Sequence, residues 1–112
     1  MDSGSALLRS LSGMTGEGMW LYIMASGWNG TLYIGVTNSL SRRIAEHREG
    51  RGSEFVRKYG VSLLVYAERY ERADEAIAQE KRVKRWRRER KIALIEAGNP
   101  NWKDLLDTIH LD

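Results

Sequence analysis

Glu80 stands where an acid has no ordinary reason to be. Through the stretch 73–97 the apolar residues Ala73, Ala76, Ile77 and Val83 recur at the three-and-four spacing of a helix, and Glu80 falls on the same stripe. A carboxylate on an apolar face is rarely buried unless it is paired or holds a metal. Three readings stay open: a metal ligand, a catalytic carboxylate, or half of a buried salt bridge, for instance with Arg43. Glu71, Asp74, Glu75 and Glu89 can all face water. Leu40, Arg43, Ile44 and His47 form a second helical stripe, which puts Arg43 and His47 at its seam, while Arg42 and Arg48 point elsewhere. Arg43 either acts there or runs its long side chain past the edge of the core.

Two phenols complete the set. Strand alternation puts Trp20, Tyr22 and Met24 on one face and Leu21 and Ile23 on the other; Thr31, Tyr33 and Gly35 oppose Leu32, Ile34 and Val36. If the intervening loop is 26–29, Ala25 pairs with Gly30 and Tyr22 falls directly opposite Tyr33. That arrangement is equally the cross-strand aromatic packing that stabilises many sheets. Gly35 in mid-strand marks a bulge or the close approach of another group. A basic run follows Glu80: Lys81, Arg82, Lys84, Arg85, Arg87, Arg88, Arg90 and Lys91 against two acids give residues 80–91 a net +6, so the rest of the chain carries −3. Such a run is either a solvated helix face or the footprint of a polyanion.

Composition bounds what these residues can do. The 112 residues suit one domain able to bury a core without staples. There are no cysteines, which excludes disulfides, thiolate zinc sites and cysteine nucleophiles, and only two histidines, His47 and His110, far apart. The run 61–67 is too short to span a bilayer, and the opening residues show no secretion pattern, so the expected address is cytoplasmic, away from membranes.

The elements that must position the chemistry read as follows. Residues 1–18, rich in Gly and Ser, are expected to be a flexible leader, with the domain spanning 19–112. Strands are predicted over 19–25 and 31–37, joined by a loop bearing the Asn29-Gly30 hairpin pair. A helix capped by Asn38 or Ser39 runs to about Glu49 and ends at Gly50 and Gly52. A third strand covers 61–70. The helical stretch 73–97 is long for a globular helix and is predicted to break near 86–88. Gly98-Asn99-Pro100 stops it, and Asn101 with Asp104 suggests the start of a short closing helix, 102–106. The order β-β-α-β-α-α makes an α+β fold, a small three-stranded antiparallel sheet flanked by helices.

Trp20-Leu21-Tyr22, Tyr33-Ile34-Gly35, Arg43 with His47, Glu80 and Asn99, in that order, resemble the GIY-YIG nuclease family over about residues 19–106. More narrowly, the segment 30–38 (Gly-Thr-Leu-Tyr-Ile-Gly-Val-Thr-Asn), the Glu-Lys…Lys…Trp run at 80–86 and the Asn-Pro-x-Trp at 99–102 resemble the short stand-alone bacterial members. The chain departs from the pattern in having Trp20 and Leu21 for the first Gly and Ile. It also has Val36 where several relatives place a lysine, so no lysine is expected to assist the nucleophile.

The resemblance implies a metal-dependent endonuclease cutting DNA phosphodiesters, with one Mg²⁺ or Mn²⁺ held by Glu80 and otherwise hydrated. Tyr22 and Tyr33 would line the site beside the attacking water, one of them serving as general base with its pKa lowered by the ion's water and nearby cations. Arg43 would offset charge at the scissile phosphate, and His47 would support water activation or contact the phosphate. Asn99 would orient the phosphate or brace the site, unless it is simply a helix-ending turn residue. With no added DNA-binding domain, Lys81, Lys84, Arg85, Arg87, Arg88 and Lys91 would supply the phosphate contacts, giving salt-sensitive affinity and little sequence reading. The implied partner is DNA that is branched, damaged or single-stranded, met by a monomer or weak homodimer in repair or recombination. Two other readings stand beside this one: a catalytically weak nucleic-acid-binding module of the same fold, and a structural protein in which Glu80 and Arg43 form only a salt bridge.

Overall fold

The computed structural model describes residues 18–51 and 53–107; the leader expected over 1–18, apart from Gly18, the C-terminal end of the chain with His110, and Gly52 lie outside them. The described chain runs β1 (Met19–Ala25), β2 (Leu32–Thr37), α1 (Leu40–Arg48), α2 (Glu54–Tyr59), β3 (Leu63–Tyr70), α3 (Ala73–Arg85) and α4 (Arg88–Gly98), closing on a 3₁₀ turn at Leu105–Asp107. The expected α+β order is present, with α2 added. The sheet order is β2-β1-β3, and both pairs are antiparallel.

β1 is the central strand, which explains its nearly unbroken apolar sequence: both of its faces are covered. Leu21, Ile23 and Ala25 join Ile34, Val36 and Val65 beneath Ala76, Ile77 and Val83 of α3 and Ile95 of α4. Tyr22 and Met24 face the other way, onto Leu40 and Ile44 of α1, Val56 of α2, and Val61 and Leu64. The Tyr22 face and the α3 face are therefore separate cores on opposite sides of one sheet.

The hairpin register differs from the expected one. Ala25 pairs with Leu32 rather than Gly30, so Tyr22 lies opposite Gly35 and Tyr33 opposite Met24. The cause is local: residues 26–31 form their own loop, with Ser26 N–H donating to Thr31 O at 3.0 Å, Thr31 N–H to Ser26 Oγ at 2.9 Å, and Gly30 N–H to Gly27 O at 3.0 Å. Asn29 takes the left-handed conformation (φ 57) that Asn tolerates best among residues with a side chain. A shift of two residues preserves strand parity, so both phenols still share a face, now on a diagonal.

Other differences have equally local causes. α2 was not anticipated; it is six residues long with only Val56 buried, too short to show a period, and is fixed by Ser53 Oγ accepting from Phe55 N–H and by Gly60 in the left-handed region. The break between α3 and α4 falls where it was expected, at Trp86 and Arg87, both extended (ψ 153 and 156). The closing helix expected over 102–106 is reduced to the 3₁₀ turn at Leu105–Asp107, and Asn101 does not cap it. Trp102 adopts φ 54 and is buried, its indole N–H donating to Glu96 at 2.8 Å, so the chain reverses there instead of winding. Asp104 accepts from Leu106 N–H at 3.2 Å at the head of the 3₁₀ turn and pairs with Arg48.

Candidate active site

Gly35 shapes the site's floor. A Cβ built there would stand 2.7 Å from the Tyr22 hydroxyl and 2.8 Å from its ring carbon Cζ, so the Tyr22 ring lies flush on the β2 backbone and only glycine permits it. From β1, Tyr22 crosses β2 and meets α1. Its hydroxyl is 2.9 Å from His47 Nε2, and the two residues are only 1% and 2% exposed. His47 reaches this position because Leu40, Ile44 and His47 form the buried stripe of α1. Tyr33 closes the group from β2, its ring edge-on to His47 with centroids 5.1 Å apart and 6.3 Å from Tyr22.

The electrostatics follow from burial and one guanidinium. Burial pushes the Tyr22 phenol well above its ordinary value; Tyr33 and, least, Glu80 act in the same direction, while Arg43 pulls it down through its charge and a hydrogen bond. The expectation of a lowered phenol is not met by the protein's own charges, because a single half-exposed guanidinium does not offset burial. Burial and then the Arg43 charge lower His47 to about 4, partly offset by Glu46, so the imidazole is neutral at pH 7. Its Nδ1 is buried without a partner among the described residues, and the tautomer sets which way the Tyr22–His47 hydrogen bond runs.

Glu80 and Arg43 do not pair with each other. Glu80 bonds Lys84 one turn along α3 (3.0 Å) and is 12% exposed at its side chain, whereas Arg43 bonds Glu46 at 3.1 Å. Each cation lies within one turn of an acid on its own helix, closer to hand than a partner across the sheet. The pairing of Glu80 with Arg43 is therefore absent, and Glu80 is a mostly covered carboxylate whose ion-pair partner is Lys84. Among the described residues no three His, Cys, Asp or Glu side chains converge on one point. A lone carboxylate suits Mg²⁺ or Mn²⁺, which keep several waters, and not zinc, which takes three or four protein ligands.

Tyr22, Tyr33, Arg43 and His47 come together, whereas Glu80 stands on α3, which packs on the opposite face of the sheet, and its charge is the weakest of those that act on the Tyr22 phenol. Asn99 does not join them: its amide donates to Val65 O (3.1 Å) and Lys103 O (2.9 Å), and its oxygen accepts from Lys103 N–H (3.0 Å). Val65 is the residue left over where the β1–β3 register slips, so Asn99 satisfies the carbonyl of a bulge. Of the basic run, Lys81, Lys84, Arg85, Arg87 and Arg88 are exposed and Lys91 half-buried. Lys84 is held by Glu80, and Arg88 clamps the hairpin loop through Asn29 O (2.7 Å) and Gly30 O (2.6 Å). Lys81, Arg85 and Arg87 make no ion pair among the described residues.

Two neighbours were not anticipated. Glu46, three residues after Arg43, is its carboxylate partner, a spacing visible in the sequence. Phe55 of α2 packs against Tyr33, its ring tilted and the centroids 6.2 Å apart, and no periodicity announced it because α2 is so short.

This fold, with a phenol, an imidazole, a guanidinium and a carboxylate around a glycine-floored strand, matches one class of protein over most of its length. Residues 18–93 match the GIY-YIG catalytic domain, and the chain belongs to that nuclease family. Among its relatives are UPF0213 proteins: one from Bacillus pumilus is 38% identical over 68 residues, covering 61% of this chain and 69% of that one. Another, from Nitratidesulfovibrio vulgaris, is 32% identical over 77 residues, covering 69% and 70%. The solution NMR structure of the UPF0213 protein of Bacillus halodurans superposes with a TM-score of 0.51 at 27% identity, covering 80% of this chain and 95% of that chain.

Proposed function

We propose that this protein is a divalent-metal-dependent endonuclease hydrolysing DNA phosphodiester bonds. The observation that carries the reading is the buried Tyr22–His47 hydrogen bond, with the Arg43 guanidinium acting on the same phenol. Glu80 would hold one Mg²⁺ or Mn²⁺, which when bound supplies positive charge to polarise the phosphate and its leaving oxygen. A neutral Tyr22 serves the attacking water by accepting its proton while passing its own to His47 Nε2. His47, neutral at pH 7, has a free lone pair there when its proton is on Nδ1. Arg43 is half-exposed and can leave Glu46 for the phosphate, offsetting charge that builds in the transition state. Tyr33 walls the site against solvent from the β2 side. Asn99 takes the bracing role and not a phosphate contact, since its polar atoms are engaged by backbone.

Lys81, Arg85 and Arg87, with Lys84, Arg88 and Lys91 in support, form the surface on which phosphates would lie, giving affinity dominated by charge and weakened by salt. Branched, damaged or single-stranded DNA of repair and recombination is the substrate such a surface suits, in the reducing cytoplasm that a cysteine-free chain fits. A second reading, a binding module with little catalysis, is favoured by the raised Tyr22 phenol.

The test is cleavage of end-labelled single-stranded, duplex and branched DNA with Mg²⁺, Mn²⁺ or EDTA, comparing wild type with a folded Glu80→Gln variant. Cutting by wild type in the metals alone, with Glu80→Gln at least a hundredfold slower, is the expected result. Equal cutting by both proteins removes the metal assignment, and binding without cutting establishes the module.

A further inference from the structure

The aromatic group of the site does not stop at Tyr33. Phe55 lies 6.2 Å from Tyr33 and Tyr59 lies 4.8 Å from Phe55, so three rings form a row running from the site out along α2. The outer two are unusually exposed for their type, Phe55 at 41% and Tyr59 at 47%. Neither is needed to close the core, because Val56 alone anchors α2. The rings are tilted at 34° and 48° to one another and are not stacked flat. Glu54, Phe55, Arg57, Lys58 and Tyr59 line an open groove of about 530 Å³. Glu54 engages Arg57, while Lys58 makes no ion pair among the described residues and holds its Nζ 5.4 Å from the Tyr59 ring centre.

We infer that Tyr33, Phe55 and Tyr59 form a stacking platform for unpaired bases of the strand whose phosphate enters the site. Exposed rings in series, beside a cation and leading away from a phosphate-binding centre, are the elements by which proteins hold single-stranded nucleic acid: every base has a π-face, and the backbone follows the positive charge. Duplex DNA buries its bases in the stack and cannot use such a row. An apolar protein partner would use the area but would not require its continuity with Tyr33. The inference rests on the nuclease reading for the phosphate's position, and it narrows the substrate to one with an unpaired segment next to the scissile bond.

The test is fluorescence anisotropy in EDTA, where nothing is cut, with a labelled twelve-nucleotide oligothymidylate, an abasic strand of equal length and a twelve-base-pair duplex as probes. The variants are Phe55→Ala/Tyr59→Ala, Phe55→Leu/Tyr59→Leu and Tyr59→Phe, each checked for an unchanged melting curve. Wild type binds oligothymidylate more tightly than the abasic strand. The alanine and leucine pairs lose about tenfold or more on oligothymidylate, as for lost base stacking, and less than about twofold on the other two probes. Tyr59→Phe binds as wild type does. Unchanged oligothymidylate binding by both pairs overturns the platform, as does an equal loss on all three probes. So does self-association of wild type in sedimentation runs that the pairs abolish while oligothymidylate binding stays the same. Cleavage assays separate the two ideas: a protein that cuts but fails this test keeps the nuclease reading alone, and one that passes without cutting keeps the platform alone.

Discussion

The Tyr22 hydroxyl lies 2.9 Å from His47 Nε2 in a pocket that shields both residues from solvent, and it is there because Gly35 leaves room for the ring. One missing Cβ on β2 thus positions a contact between β1 and α1. The consequences can be measured separately at each of the three residues.

Gly35→Ala puts a methyl carbon at 2.7 Å from the Tyr22 hydroxyl and 2.8 Å from Cζ, contacts that must relax by moving the ring off its partner. We expect a loss of about 1–3 kcal/mol in stability, typical of overpacking, together with a cleavage defect at least as large as that of Tyr22→Phe. Urea unfolding and single-turnover cleavage check both. Gly27→Ala, whose added Cβ meets nothing within 4 Å, is the control and should match wild type.

Tyr22→Phe keeps the ring and removes the hydroxyl, leaving His47 without its partner on Nε2 as well as on Nδ1. Loss of a buried hydrogen bond with one group orphaned costs about 1–3 kcal/mol. The folded fraction should bind DNA normally and cut it slowly. Normal cutting by Tyr22→Phe would place proton removal elsewhere.

His47 gives stability a pH dependence whose sign is fixed. Its folded pKa of about 4 lies below the ordinary 6.5, so the unfolded chain takes up the proton first as pH falls. The resulting stability is present above about pH 6.5, declines as pH falls toward about 4, and changes no further below that; at most it is of the order of 3 kcal/mol. Urea midpoints at half-unit pH intervals should show this slope in wild type, and His47→Gln should lose it.

Asn99→Ala distinguishes bracing from phosphate contact. It strands the Val65 carbonyl and removes three hydrogen bonds at once. We expect about 2–3 kcal/mol of destabilisation from unsatisfied buried groups, with DNA affinity and cleavage rate per folded molecule unchanged. A selective loss of rate in a stable variant would return Asn99 to the site.

How much of this was legible in the sequence depended on the range of the forces involved. The faces of β1 and β2 could be read from alternation alone, and a two-residue error in register left Tyr22 and Tyr33 on the same side because parity was preserved. That error came from the loop: Asn29-Gly30 signalled a tight hairpin, whereas the Ser26–Thr31 bonds closed a longer one. Glu80 was conspicuous because thirteen residues of α3 give enough turns to define a buried stripe. Its partner Lys84, and Glu46 for Arg43, stand at the four- and three-residue spacings of one helix, which were legible but passed over when the two charges were matched across the sheet. α2 and the left-handed Trp102 had no periodicity to declare them, so the outer half of the aromatic row, Phe55 and Tyr59, emerged only in three dimensions.

Whether Glu80 holds a divalent ion within reach of Tyr22 is decided by paramagnetic Mn²⁺. Substoichiometric Mn²⁺ added to wild type should broaden the NMR signals of the Tyr22, Tyr33 and His47 rings before any others, while Glu80→Gln leaves them sharp at the same concentration. Identical broadening in the variant, or broadening that begins elsewhere on the wild-type surface, would mean that Glu80 does not hold the ion at this site.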